Sequence, residues 1–256
     1  MPFDADHPVL LALVGAVFAL GGFVKGVIGL GLPTVTIGIL SVFIAPAQAA
    51  ALLVVPSLVT NAWQFGGAAT GAWPLARRLA PMLIGVCVGV WAGADWLAGA
   101  GQHSWASAAL GVALVVYAAL GLRRWQWVVR PAQEPWLGPC VGLATGLVTA
   151  ATGIFVIPAV PYLHALGFDK DALVRALGLS FLVSTVALAL ALGRHGALPL
   201  ELAAASLLAL GAALVGMSLG QRVRRRVAPE PFRLAFLVGL AALGVYLAGR
   251  AAARFS

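Results

Sequence analysis

A single lysine, Lys25, interrupts the apolar string ALVGAVFALGGFVKGVIGLGLP near the start of the chain. An ammonium in such surroundings is costly and normally faces a cavity or a partner, which makes it a functional residue by default. The alternative is that the roughly 16 apolar residues before it let the side chain snorkel from a helix end. Other small polar side chains also sit inside apolar strings: Thr34, Thr36, Ser57, Thr60, Asn61 and Gln64, then Thr145, Thr149, Thr152, Ser180, Ser184 and Thr185. A hydroxyl in an apolar helix usually bonds the carbonyl four residues back. A carboxamide has four hydrogen-bonding sites, more than one helix satisfies, which directs Asn61 and Gln64 toward a pore or a substrate. Ammonium, amide and hydroxyl donors together suit the binding of a small anion. Enzyme chemistry is disfavoured: His7, His103, His164 and His195 are scattered, and no nucleophile elbow, HExxH, phosphate loop or paired carboxylate occurs. Cys87 and Cys140 lie in apolar stretches without CxxC spacing, so neither a disulfide nor a metal site is expected, and no cofactor is implied.

The elements that must position these groups follow from composition. Of 256 residues, 62% are hydrophobic and 9% charged, with mean hydropathy +1.01, whereas a soluble domain carries about 25% charged residues. The lipid bilayer is the implied solvent. The formal charge of +8 does not indicate nucleic acid, because the arginines cluster at the ends of apolar segments instead of forming a continuous basic face. The acidic start, with Asp4 and Asp6, argues against a cleaved secretory signal. Long Leu/Ala/Val/Gly-rich runs without two-residue alternation predict helices at about 9–44, 47–65, 79–98, 105–122, 137–163, 173–193, 202–220 and 232–249.

The first and fifth runs, 36 and 27 residues long, exceed one span and are interrupted by Gly, Thr and Pro. They also match each other: Gly22 and Gly26 correspond to Gly142 and Gly146 at an offset of 120, and in the following runs Ser57 and Asn61 correspond to Ser180 and Ser184 at an offset of 123. The expected architecture is therefore an all-α polytopic membrane protein of two four-segment repeats, residues 1–130 and 131–256, each headed by a broken helix. If both broken segments enter and return on one side, Arg77, Arg78, Arg123, Arg124, Arg130, Lys170, Arg175 and the Arg222–Arg226 cluster all face the cytoplasm. Arg194, Arg250 and Arg254 are then the exceptions. The positive-inside rule favours this arrangement, which makes the repeats inverted. Trp73, Trp96, Trp105, Trp125, Trp127 and Trp136 fall at segment ends, as interfacial anchors do. Gly85, Gly89 and Gly93 form a close-approach series that serves either internal packing or a homodimer contact.

The strings FVKGVIGLGLP, APAQAAALLVVPSLVTNAWQ (Ala45 to Gln64), TGIFVIP (Thr152 to Pro158) and LVRALGLSFLVST (Leu173 to Thr185) resemble the TauE/SafE family of sulfite exporters, also called DUF81. The resemblance runs over nearly the whole chain. It implies an inner-membrane permease for sulfite, organosulfonates or related anions. It also places the two breaks at Gly26 to Pro33 and Thr149 to Pro158, with Asn61 and Gln64 near the site. One departure stands out: Ile154 and Phe155 follow Gly153 where the family's second copy usually has a glycine cluster.

The expected function is export of a small sulfur-containing anion across a bacterial inner membrane by alternating access. An anion channel or a non-transporting membrane scaffold remains as the alternative. The anion is expected near the midplane between the two breaks, where half-helix N–H groups attract negative charge. The expected substrate-binding residues are Lys25, Gly29, Gly31, Thr34, Ser57, Asn61 and Gln64 from the first half, and Thr149, Thr152, Gly153, Ser180 and Ser184 from the second. Embedded carboxylates are scarce, with Asp95 and Glu201 at segment ends, so no dedicated proton relay is written in the chain.

Overall fold

The computed structural model describes residues 8–66, 72–98, 103–123, 128–198, 202–226 and 229–253. Asp4, Asp6, His7, Arg124, Trp125, Trp127, Glu201 and Arg254, invoked above, lie outside them. The described elements are α1 (Pro8–Ile28), α2 (Leu32–Leu40), α3 (Pro46–Gly66), α4 (Ala72–Ala92), α5 (Ala94–Ala98), α6 (His103–Leu122), a 3-10 turn at Pro131–Gln133, α7 (Glu134–Thr152), α8 (Ala159–Ala165), α9 (Lys170–Arg194), α10 (Leu202–Arg224) and α11 (Pro229–Ala252). No strand occurs among the described residues. Seven helices, α1, α3, α4, α6, α9, α10 and α11, are long and apolar enough to cross a bilayer. α7 approaches that length, about 28 Å at 1.5 Å per residue, but Glu134, two prolines and three threonines dilute its apolar character.

Both long runs break where the sequence supplies a glycine. The first breaks at Gly29 and Gly31, with φ of 83° and 114°, a left-handed region that costs other residues a clash with Cβ. Gly29 N–H still donates to Lys25 O at 2.8 Å and closes the last turn of α1. Pro33 sits in the first turn of α2, where a missing N–H costs nothing. The second run breaks at Gly153, φ 75°, whose N–H closes α7 onto Thr149 O at 2.7 Å. The breaks fall inside the expected stretches but do not halve the segments: α1 has 21 residues against 9 in α2, and α7 has 19 against 7 in α8.

Each broken run folds into a hairpin. α2 turns back along α1, so that a Cβ on Gly21 would meet Thr36 Cγ2 at 2.9 Å and Leu32 Cδ1 at 3.1 Å. α8 turns back along α7 and is tied to the start of it. Val129 N–H donates to Ala165 O at 2.9 Å, and Arg78 binds Glu134 at 2.6 Å while reaching Leu166 O at 3.5 Å.

Helix pairing is reciprocal between the halves. α1 runs parallel to α10, with Gly22 and Gly26 against the carbonyls of Ala213 and Met217, and Gly216 and Gly220 against those of Ala19 and Phe23. α7 runs parallel to α4 in the same manner: Gly142 and Gly146 meet the Met82 and Val86 carbonyls, while Gly85 and Gly89 meet those of Pro139 and Leu143. The Gly85–Gly89–Gly93 series thus packs within the chain, Gly93 facing Ala150 Cβ. α3 and α9 cross antiparallel: Ser57 touches Thr185, and Gly178 lies on Asn61 to Phe65. α6 and α11 are antiparallel too, Gly111 meeting Ala248 and Gly121 meeting Leu237. Lipid supplies no hydrophobic drive between helices, so close backbone contact at small residues must supply dispersion energy instead.

Candidate functional site

α1 and α3 run in the same direction and are bridged by side chains, Lys25 reaching Asn61 and Gln64 reaching Gly29. The Lys25 side chain is 5% exposed. It does not snorkel along its own helix; it turns into the bundle and donates to Thr60 Oγ1 at 3.0 Å and to Asn61 Oδ1. An ammonium has only donors, so it fixes the Asn61 amide with oxygen toward Lys25 and nitrogen away. Asn61 Nδ2 then donates to Ser57 Oγ at 2.9 Å. Thr185 Oγ1 gives its hydrogen to Phe181 O at 2.6 Å, which leaves the Ser57 hydroxyl to donate to Thr185 across 2.9 Å. The result is one directed chain of hydrogen bonds from Lys25 on α1 through α3 to α9.

Two groups remain open at the Lys25 end of this chain. The ammonium carries three hydrogens and the protein accepts two. Among the described residues no carboxylate pairs with it; Asp95, Glu134, Asp169, Asp171 and Glu230 all lie at helix ends or in connections. Burying a cation without a counter-charge costs several kcal/mol. Two bonds to neutral acceptors offset only part of that, so a bound anion would stabilise the site. One turn further along, Gln64 Nε2 donates to Gly29 O at 2.9 Å, while Gln64 Oε1 is buried with no partner. At the adjoining break the N–H groups of Leu30, Gly31 and Thr34 meet no acceptor among the described residues. This is usual at a helix N-terminus and costly here, because Gly31 and Thr34 are buried.

Of the expected site residues, Lys25, Ser57, Asn61 and Gln64 come together with the Gly29–Gly31 break. The hydroxyl of Thr34 closes onto Gly31 O at 2.9 Å. The expected site residues of the second half, Thr149, Thr152, Gly153, Ser180 and Ser184, stay out of the network. Thr149 and Thr152 bond the carbonyls of Thr145 and Val148, each at 2.7 Å, and Thr152 Oγ1 also accepts from Ile154 N–H at 3.1 Å, capping the Gly153 break. Ser184 bonds Ser180 O at 2.8 Å, and Ser180 Oγ is buried without a partner. The second break is apolar: Ile154, Phe155, Val156 and Ile157 are buried, and Phe155 packs on Phe181 at 5.2 Å between ring centroids. The departure at Ile154 and Phe155 thus leaves the polar cluster on the first break alone.

The structure adds Thr60 and Thr185, which were in the polar inventory but not among the expected binders. Thr60 follows from adjacency to Asn61. Thr185 differs from its neighbour Ser184 only in which side of α9 meets α3, and that depends on the helix crossing.

The sequence model of the sulfite exporter family TauE/SafE matches residues 13–247. The chain belongs to the TauE/SafE family. No curated protein and no solved structure matches it. TauE/SafE proteins are multi-pass membrane transporters of sulfite or related anions, in keeping with seven helices able to cross a bilayer. In this TauE/SafE chain the string FVKGVIGLGLP forms the end of α1, the first break and the start of α2, and the string ending at Gln64 forms α3. Those two strings carry Lys25, Ser57, Thr60, Asn61 and Gln64, and Thr185 comes from the string Leu173 to Thr185.

Proposed function

We propose that the protein exports a small sulfur-containing anion, sulfite or an organosulfonate, across the inner membrane of a bacterium as a secondary transporter. The reading rests on Lys25: a buried ammonium without a carboxylate partner, beside a glycine break with unsatisfied amide donors. Such a site attracts one small anion and offers little to a cation.

The halves 1–130 and 131–256 act as inverted repeats in this proposal. α3 and α9 hold equivalent places and run antiparallel. A two-fold axis relates antiparallel helices only if it is perpendicular to both, which for membrane-crossing helices puts it in the membrane plane. The hairpin of α1 and α2 then opens outward with its tip toward the cytoplasm, and that of α7 and α8 does the reverse. The arginine-rich ends lie inside, as the positive-inside rule asks. An anion leaving a cell that is negative inside gains about 2.3 kcal/mol per charge per 100 mV, so export needs no embedded carboxylate.

Sulfite efflux from proteoliposomes tests the reading. The wild type should show saturable flux and counterflow, and Lys25→Ala with Asn61→Ala should lower the rate at least tenfold. A rate unchanged in the double variant would remove this site from the mechanism, and flux without saturation would mark a channel.

A further inference from the structure

The open groups at the site are of both kinds. Lys25 has a hydrogen to give, and so do the amides of Leu30 and Gly31, whereas Gln64 Oε1 is an acceptor with nothing to accept. The orientation of that carboxamide is dictated by its neighbour. Gly29 O only accepts, so it must be met by the Gln64 nitrogen, and the oxygen is turned away from it, buried and without a partner. Lys25 binds Asn61, and Gln64 lies one turn further along α3, where side-chain bases three residues apart on one helix stand about 5–6 Å from each other. A small oxyanion on Lys25 is therefore within reach of the Gln64 oxygen. A fully ionised oxyanion has only acceptors and would set an oxygen against Gln64 Oε1, a repulsive contact in a low-dielectric site. An oxyanion that keeps one O–H would donate that hydrogen to Gln64 while its ionised oxygens take the donors of Lys25 and the break.

We propose that the site takes its anion in the monoprotonated form, with Gln64 Oε1 accepting the substrate's own O–H, so that hydrogen sulfite is carried in preference to the sulfite dianion. Gln64 is thereby a specificity-determining residue, and each turnover moves one charge and one acidic hydrogen. The inference rests on the transport reading above. The groups near this end that bear charge include Asp169, Lys170, Asp171 and Arg175 at the start of α9, Arg222, Arg224, Arg225 and Arg226 at the end of α10, and the Glu230–Arg233 pair on α11. Their effect on any anion, and that of Lys25, is cancelled by comparison with a second anion of constant charge.

The test uses the full chain in proteoliposomes with sulfite and methanesulfonate as the two probes, from mildly acidic to mildly alkaline pH. Methanesulfonate is a monoanion throughout and has no O–H. The ratio of sulfite to methanesulfonate initial rates should fall as pH rises, approaching tenfold per pH unit once the dianion dominates in solution. In Gln64→Leu the ratio at acidic pH should drop about tenfold, the worth of one hydrogen bond to a charged partner. A ratio that stays flat or rises with pH in the wild type overturns the proposal without any variant, and so does a Gln64→Leu ratio equal to the wild type. If methanesulfonate moves while the ratio is flat, only the protonation inference fails; if neither anion moves, the transport reading fails and takes this one with it.

Discussion

Ser57 and Ser180, which match in sequence at an offset of 123, have opposite circumstances. Ser57 is a relay: it accepts from Asn61 and touches Thr185 at 2.9 Å. At the same offset of 123 Thr185 corresponds to Ala62, which has no hydroxyl, and Ser180 Oγ is left without a partner. Losing one partner of a buried pair costs the desolvation of the group left behind, whereas removing a group that has no partner does not. Ser57→Ala should therefore lower the thermal midpoint in detergent, by about 1 kcal/mol of stability. Ser180→Ala should leave the midpoint where it is. Equal midpoints for the two variants would mean that the Lys25–Asn61–Ser57–Thr185 chain is not formed.

At the scale of elements, the hairpins depend on glycine in two separate ways. At Gly29, Gly31 and Gly153 it permits the left-handed turn that ends a helix. On α1, α4, α7 and α10 it permits backbones to touch. The distinction can be measured along one helix. A Cβ on Gly216 would run into the Ala19 carbonyl, while one on Gly211 meets nothing within 4 Å. Gly216→Ala should cost about 1–3 kcal/mol by forcing α1 and α10 apart. Gly211→Ala should stabilise by about 0.5–1 kcal/mol, since alanine loses less chain entropy in a helix. Thermal unfolding of the two variants in one detergent makes the comparison, and destabilisation of equal size at both positions would contradict the packing. At the base of the second hairpin, the Arg78–Glu134 pair at 2.6 Å sits beside Phe168, 4.7 Å from the guanidinium. It ties α4, α7 and the end of α8 into one unit.

For the whole molecule, the proposed inverted repeat would carry the α1–α10 contact onto α7–α4 and the α3–α9 contact onto itself, and all three contacts are present. The proposed orientation puts residue 195, at the C-cap of α9, outside, and residue 225, just past the end of α10, in the cytoplasm. In a background with Cys87 and Cys140 replaced by alanine, an impermeant thiol reagent applied to intact cells should label His195→Cys and spare Arg225→Cys. Labelling of Arg225→Cys alone would reverse the orientation, and labelling of both would break the span between them.

Membrane character was legible from hydropathy over about 20 residues and the two broken segments from Gly21 to Leu40 and Gly142 to Leu163, because hydropathy and the positions of Gly and Pro are local properties; the short α5 was not. So was the need of Lys25 and Asn61 for polar partners, since an embedded ammonium and a carboxamide are expensive wherever the helix points. Whether those two residues met each other was not written locally. It depended on α1 and α3 running parallel in register, which the chain achieves only by folding α2 back between them. The same holds for Thr185 over Ser184, for Gly85 and Gly89 facing α7, and for the apolar filling of the second break. Sequence determines what each residue needs from its surroundings; which neighbour supplies it is decided by helix crossings between segments far apart in the chain, where no local pattern reaches.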